Sequence, residues 1–221
     1  MCRFLLAKSK EKIDPKYILK GFAEMARKSK AYDGDWQGDG WGVSWWNGKS
    51  WEQYVSLKPV WKDEDFFSFI PETTSLIVHA RSASFDRHKN TIEYNQPYIQ
   101  GRYAFVFNGL IKGVTLPHQL DGKIGAQKIW SLVLMYLKKY SPELALKKAI
   151  FDLNKHSRFI QALNIGLSDG KNIYMYNQYA NHEKYYRLQS HITKQLVIGV
   201  SEKIEGFEFV PVNLKKILKL T

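Results

Sequence analysis

Along the chain, apolar residues gather in short runs separated by turn-forming residues, and only a few stretches show a helical period. Arg3 to Ala7, Gly42 to Trp46, Trp51 to Leu57, Leu76 to His79 and Tyr103 to Phe107 read as strands in the first half. Phe159 to Leu167, Ile173 to Tyr176, Tyr185 to Leu188, Leu196 to Val200 and Phe207 to Val210 continue the series in the second half. The period changes over Pro15 to Ser29, where Ile18, Leu19, Phe22, Met25 and Ala26 share one side of a helix and Lys16, Lys20, Arg27 and Lys30 the other. Gly125 to Lys139 and Pro142 to Asn154 are the remaining predicted helices. Asp14-Pro15 and Ser141-Pro142 supply start signals, and Asn47-Gly48 and Asp169-Gly170 mark hairpins because both dipeptides tolerate positive φ.

This order is strand, helix, many strands, two adjacent helices, then more strands. It does not alternate as a parallel doubly wound sheet would, so it predicts an α+β fold of stacked antiparallel sheets with helices outside. About ten strands predict two sheets rather than one. No Pro-, Gly- or Ser-rich linker, repeat or low-complexity tract divides the chain, and residues 1–221 read as a single domain.

Composition narrows the setting. The one cysteine among 221 residues excludes an internal disulfide and a Cys-rich zinc site, which predicts a free thiol in a reducing, cytoplasmic compartment. No apolar run approaches the roughly 20 residues of a membrane span, and no apolar segment with a small-residue cleavage site opens the chain. The net charge of +12 is concentrated early: residues 1 to 30 hold nine Lys and Arg against three acids. Four of them, Lys16, Lys20, Arg27 and Lys30, fall on the polar side of the first predicted helix, the pattern of a solvated surface, so the charge does not favour a nucleic-acid partner. A salt-sensitive attraction to polyanions is the alternative.

Candidate chemistry is spread over several segments. Asp33 to Gly42 begins like a calcium loop, but its twelfth position is Ser44 where a bidentate Glu is required, and no Lys-Ser or Lys-Thr follows as in a phosphate loop. A glycine-rich turn that lets a ligand or another backbone come close remains. His79-Ala80-Arg81-Ser82-Ala83-Ser84 ends an apolar strand in a guanidinium able to hold a carboxylate through two donors, or to pair within its own chain. Phe107-Asn108-Gly109 ends another in a side-chain amide and a backbone N–H that can converge on an oxyanion, or simply turn the chain. The six histidines show no metal-ligand spacing, and Trp36, Trp41, Trp45 and Trp46 read as packing.

Cys2, Asp39-Gly40-Trp41-Gly42, His79 to Ser84, Asn95-Gln96-Pro97-Tyr98 and Phe107-Asn108-Gly109, in that order, resemble the class II glutamine amidotransferases of the N-terminal nucleophile hydrolases. The likeness is to small stand-alone members beginning Met-Cys-Arg. It continues through Asn164 to Gly170, Val200-Ser201-Glu202 and Val210-Pro211-Val212. The resemblance implies a four-layer αββα sandwich and a glutaminase-type reaction on glutamine or a γ-glutamyl amide. Cys2, freed by removal of Met1, would be the nucleophile and its α-amine the base; Asn108 and Gly109 would hold the oxyanion. Arg81 would bind the substrate α-carboxylate with Ser84 beside it. The family's acidic ligand for the α-amino group has Gly125 in its place, and Asp121, four residues upstream, is the candidate substitute. No metal or organic cofactor is called for. The chain has no room for a synthase domain, so an ammonia acceptor would sit on a separate synthase subunit, and a homo-oligomer is also open. The rival expectation is a non-catalytic protein of the same fold that binds an anionic partner through its basic surface.

Overall fold

The computed structural model describes residues 2–83 and 85–221. The first predicted strand extends to become β1 (Arg3–Ile13), and its residues Arg3 to Ala7 are all buried. Phe4 and Leu6 enter one apolar cluster with Ile77, Val106 and Met175, while Leu5 and Ala7 enter another with Ile18, Leu19 and Phe22. A strand covered on both faces is apolar continuously instead of alternately, which is why Phe4-Leu5-Leu6 stand together.

In the described residues β1 occupies the centre of a seven-stranded antiparallel sheet. From one edge its order is β11 (Val210–Pro211), β9 (Gln189–Ile192), β10 (Leu196–Val200), β1, β4 (Thr73–Ala80), β2 (Trp41–Trp46) and β3 (Trp51–Ser56). The second sheet has five strands, β12 (Ile217–Leu220), β8 (Ile173–Tyr176), β7 (Ser157–Ser168), β6 (Tyr103–Val114) and β5 (Tyr98–Gln100), again antiparallel. Phe4, Leu6 and Ile77 of the first sheet meet Ala104, Val106 and Met175 of the second between the two.

Helices cover the outer faces. The apolar side of α1 (Lys16–Lys28) packs on Leu5, Val43 and Val78 of the larger sheet. On the other side α2 (Gly125–Leu137) and α3 (Pro142–His156) place Ile129, Leu132, Val133 and Leu146 on Phe105, Leu163, Ile165 and Leu167. The result is the expected α+β sandwich of four layers, αββα. None of the described helices is long and apolar enough to cross a membrane.

Both predicted hairpins form: Asn47-Gly48 joins β2 to β3 and Asp169-Gly170 joins β7 to β8, with Gly48 and Gly170 at positive φ. Asp14 starts α1 by accepting the Lys16 N–H at 3.0 Å, whereas the Ser141 hydroxyl makes no capping bond at α3. Two predicted strands need correction. Tyr185 to Leu188 is not a strand: Glu183–Tyr186 is a one-turn helix, α4, and the strand follows it as β9. Four apolar-rich residues cannot show a period, and here Tyr185 is drawn inward beneath the Arg3 guanidinium, 3.7 Å from its ring centroid. In Phe207 to Val210 only Val210 pairs, because Phe207 and Phe209 turn their rings onto His191.

Arg3 is almost fully buried. Its Nε donates to Ser29 Oγ at 2.8 Å, Nη1 to the Tyr185 carbonyl at 2.7 Å, and Nη2 lies 2.5 Å from the Glu202 carboxylate. One guanidinium thereby ties the start of β1 to the end of α1, to α4 and to the turn after β10. Arg3→Met removes these three contacts at a buried position and is expected to cost roughly 3 kcal/mol, measured by urea unfolding.

Candidate active site

Strand register explains how residues 80 apart meet. Arg3 pairs with Ala80 across β1 and β4, so Cys2, just ahead of β1, lies beside Arg81 and Ser82. The Ser82 N–H points at Cys2 Sγ, 3.4 Å away, and Sγ is 3.5 Å from the Ser82 carbonyl. Since Phe4 and Leu6 face the second sheet, the two-residue alternation puts Cys2 on that same face. Cys2 keeps part of its surface accessible. Burial nevertheless pushes the thiol pKa up, against the opposing pull of the Ser82 N–H and the Arg81 guanidinium. The sulfur is therefore protonated near neutral pH, and its use as a nucleophile needs a base at the moment of attack.

On the second sheet, Asn108 lies on the face turned towards the first. Ala104 and Val106 on β6 face the first sheet, and Asn108, two residues further, shares their side. It is 1% exposed, and among the described residues neither amide atom has a hydrogen-bond partner. A buried primary amide left unpaired is costly, and such groups concentrate where a ligand completes them. Gly109 follows because nothing larger fits: a Cβ there would lie 2.1 Å from the Ala162 carbonyl oxygen on β7.

Gln96 fixes the height of this strand. Its Oε1 accepts the Phe107 N–H at 2.6 Å and its Nε2 donates to the Phe107 carbonyl at 3.2 Å. In a strand, N–H groups two residues apart point to the same edge, so the Gly109 N–H is directed past Gln96 beyond the short β5. In the sequence Gln96 is one member of Asn95-Gln96-Pro97-Tyr98, and nothing local shows this part. Gln96→Ala strands two buried backbone groups; the expectation is a loss of about 1–3 kcal/mol in unfolding free energy and a lower kcat with KM little changed. Gln96→Glu, which keeps one acceptor, is expected to be milder in both readouts.

Arg81 is held by its own chain. Its guanidinium donates to the carbonyls of His88, Lys89 and Thr91 and to Asn95 Oδ1, the last three at 3.2–3.3 Å. Those acceptors are neutral, and no ion pair neutralises Arg81 among the described residues, so its charge still acts on the site. The glycine-rich turn packs on the same segment: Asp39 N–H donates to the Arg81 carbonyl at 3.0 Å and the Arg81 N–H to the Gly40 carbonyl at 2.8 Å. Gly40, at φ +122°, and Gly42 let Asn95 and Gln96 come close, since a Cβ on Gly42 would lie 2.3 Å from the Gln96 carbonyl oxygen. Asp39 also accepts the Ala83 N–H at 2.8 Å, and Asp35 accepts the Ser82 hydroxyl. Neither Asn95 nor these two acids stood out as positioning groups in the sequence, because their partners lie across sheet pairings.

Cys2, Arg81 and Gly109 line one cavity of about 870 Å³, together with Gln96, Phe107 and the start of α2. Gly125, at that helix start, also lines it, and a Cβ there would meet open space. Asp121 does not line this cavity; it opens onto a second depression with Tyr98 and Trp130. Ser84 lies outside the described residues. His79 is fully buried, and burial together with Arg81 holds its pKa down at about 3, so it stays neutral and is no general base near pH 7. Among the described residues no group of three or more His, Cys, Asp or Glu side chains is gathered as a metal centre. Trp41 packs in the core and hydrogen-bonds Asp63 at 3.0 Å, and Trp36 stacks on Trp61.

No family model matches the sequence, and no curated protein matches it either. Solved structures do. A glutamine aminotransferase class-II domain protein from Silicibacter pomeroyi superposes over 99% of this chain and 94% of its own, with TM-score 0.67 and 16% identity. A glutamine amidotransferase from Pseudomonas aeruginosa, described as predicted, matches 99% of this chain and 97% of its own at TM-score 0.58 and 12% identity. The glutamine phosphoribosylpyrophosphate amidotransferase of B. subtilis matches 99% of this chain at TM-score 0.72 and 12% identity, and this chain spans 47% of its length. The protein therefore shares its αββα fold with the class II glutamine amidotransferase domains.

Proposed function

We propose that the protein is an amidohydrolase of the class II glutamine amidotransferase type, acting on the side-chain amide of glutamine or of a γ-glutamyl compound. The observation that carries this reading is the buried amide of Asn108, without a hydrogen-bond partner among the described residues, next to Gly109, which lines a cavity with Cys2. Removal of Met1 gives Cys2 a free α-amine of ordinary pKa about 7.7–8.0, the base that a protonated thiol requires.

The amine takes the thiol proton as Sγ attacks the amide carbon. The oxygen gains negative charge and receives hydrogen bonds from Asn108 Nδ2 and the Gly109 N–H. The proton passes to the departing nitrogen, the C–N bond breaks, and ammonia or an amine leaves a γ-glutamyl thioester. Water then cleaves the S–C bond, releasing the carboxylate and restoring the thiol. Arg81 supplies positive potential for a substrate carboxylate. Asp121, on a separate depression, is not used in this scheme. Ammonia passes to water or to an acceptor on a separate synthase subunit, in a cytoplasmic setting.

The test compares protein with Met1 removed and protein with Met1 retained, by ammonia release and by intact mass after rapid quenching. Turnover and a thioester adduct are expected only from the first; activity that is equal in both overturns the assignment of base. The pH profile is a separate check. The α-amine must be neutral to accept a proton, so kcat/KM is expected to rise with pH through about 7.7–8.0. A carboxylate base would instead place that limb near pH 4 to 5, and His79 near 3.

A further inference from the structure

The cavity beside Cys2 is charged in one sense only. Arg81, Arg87, Lys112, Lys123 and Lys128 line it, and none of its described lining residues is an Asp or Glu. Asp35 and Asp39 open onto a different depression, where they accept from Ser82 and from the Ala83 N–H. Asp121 belongs to another. A free α-ammonium entering here would lose water among five cations, with no Asp or Glu on the described lining to receive it; the nearest acid, Asp35, acts on the Cys2 sulfur and already accepts from the Ser82 hydroxyl. Gly125 lines the cavity at the start of α2, where a longer side chain would have room.

Part of the remaining wall is aliphatic. Leu110, Leu116, Leu120, Ile124, Ile129 and Leu153, from β6, the segment after it, α2 and α3, supply that part. Its volume of about 870 Å³ lies high in the range of about 300–1,000 Å³ typical of drug-sized ligands, far more than one amino acid needs.

We infer that the substrate is an anionic amide whose α-nitrogen carries an aliphatic acyl group, an N-acylglutamine-like compound and not a free amino acid. This rests on the amidohydrolase reading for the identity of the scissile amide. The acyl group removes the ammonium charge and occupies the aliphatic wall, while the α-carboxylate lies among the cations.

The experiment is calorimetric titration of the full chain, Met1 removed and carrying Cys2→Ala, with L-glutamate, N-acetyl-L-glutamate and N-octanoyl-L-glutamate. Affinity is expected to rise in that order, with the octanoyl compound about 100-fold tighter than glutamate. Gly125→Asp, whose side chain enters open space, is expected to improve glutamate binding and weaken that of the acyl compounds; its melting temperature, recorded alongside, confirms that the variant folds. Glutamate binding as tightly as the octanoyl compound, or no binding by any of the three, overturns the inference. Failure of the underlying reading shows separately, as absence of ammonia release and thioester from the corresponding amides with Cys2 present, whatever the titration gives.

Discussion

Replacing Asn108 with leucine is expected to lower kcat about 10²- to 10³-fold, the cost typical of losing one oxyanion donor. The same substitution is expected to leave the melting temperature unchanged or to raise it. The two outcomes have one cause. In the free protein the Asn108 amide is buried with no hydrogen-bond partner among the described residues, so folding removes its water and returns nothing. A leucine of similar size in that position, beside Val106 and between the sheets, avoids the desolvation cost of about 1–3 kcal/mol. The amide is repaid only when an oxyanion accepts from it. A variant that loses activity and stability together would identify Asn108 as a structural residue; one more stable and inactive would show stability given up for function. Thermal unfolding and steady-state ammonia release on the same preparation decide between them.

Cys2→Ala is expected to remove turnover by about 10⁴-fold or more, in proportion to the loss of a catalytic nucleophile elsewhere. Stability should stay within about 0.5 kcal/mol, because Cys2 is only partly buried and its contacts to Ser82 are long. Ordinary cysteine chemistry would predict a thiolate with a depressed pKa at such a site. Here burial raises the pKa instead, so alkylation by iodoacetamide at pH 7 is expected to be slow while Met1 is retained and faster once the α-amine is present. Equal alkylation rates in the two forms would show that the amine does not activate the sulfur.

Much of the fold was legible in the chain. The α1 helix, the strands β2, β3, β8 and β10, and both hairpins follow from runs whose period or turn chemistry is local. Where the reading missed, the deciding contact was distant. Tyr185 and Tyr186 form a helical turn because Arg3, far away in sequence, places its guanidinium on Tyr185. The strands β5 and β12 have three and four residues and no flanking turn dipeptide marks them; they form because β6 and β8 offer free edges.

The candidate site divides in the same way. Cys2, Arg81, Asn108 and Gly109 stood out by residue type and by position at the ends of apolar strands. That Cys2, Arg81 and Gly109 surround one cavity depends on the register of β1 with β4 and on the stacking of the two sheets. Gln96 could not be assigned its part from sequence, since a glutamine gripping both backbone groups of Phe107 looks like any polar residue before a proline. Asp121 illustrates the reverse: proximity in sequence to Gly125 suggested a ligand, and the loop before α2 turns it onto another face.

The sequence by itself determined the layers, because a strand apolar on successive residues must be covered on both sides, and it determined which groups carry reactive chemistry, because residue type is local. Tertiary structure alone decided the electrostatic character of the cavity. A net charge of +12 is a property of the whole chain, whereas the lining of one cavity by Cys2 and five cations, with no Asp or Glu among its described lining residues, arises where separate loops and helices converge.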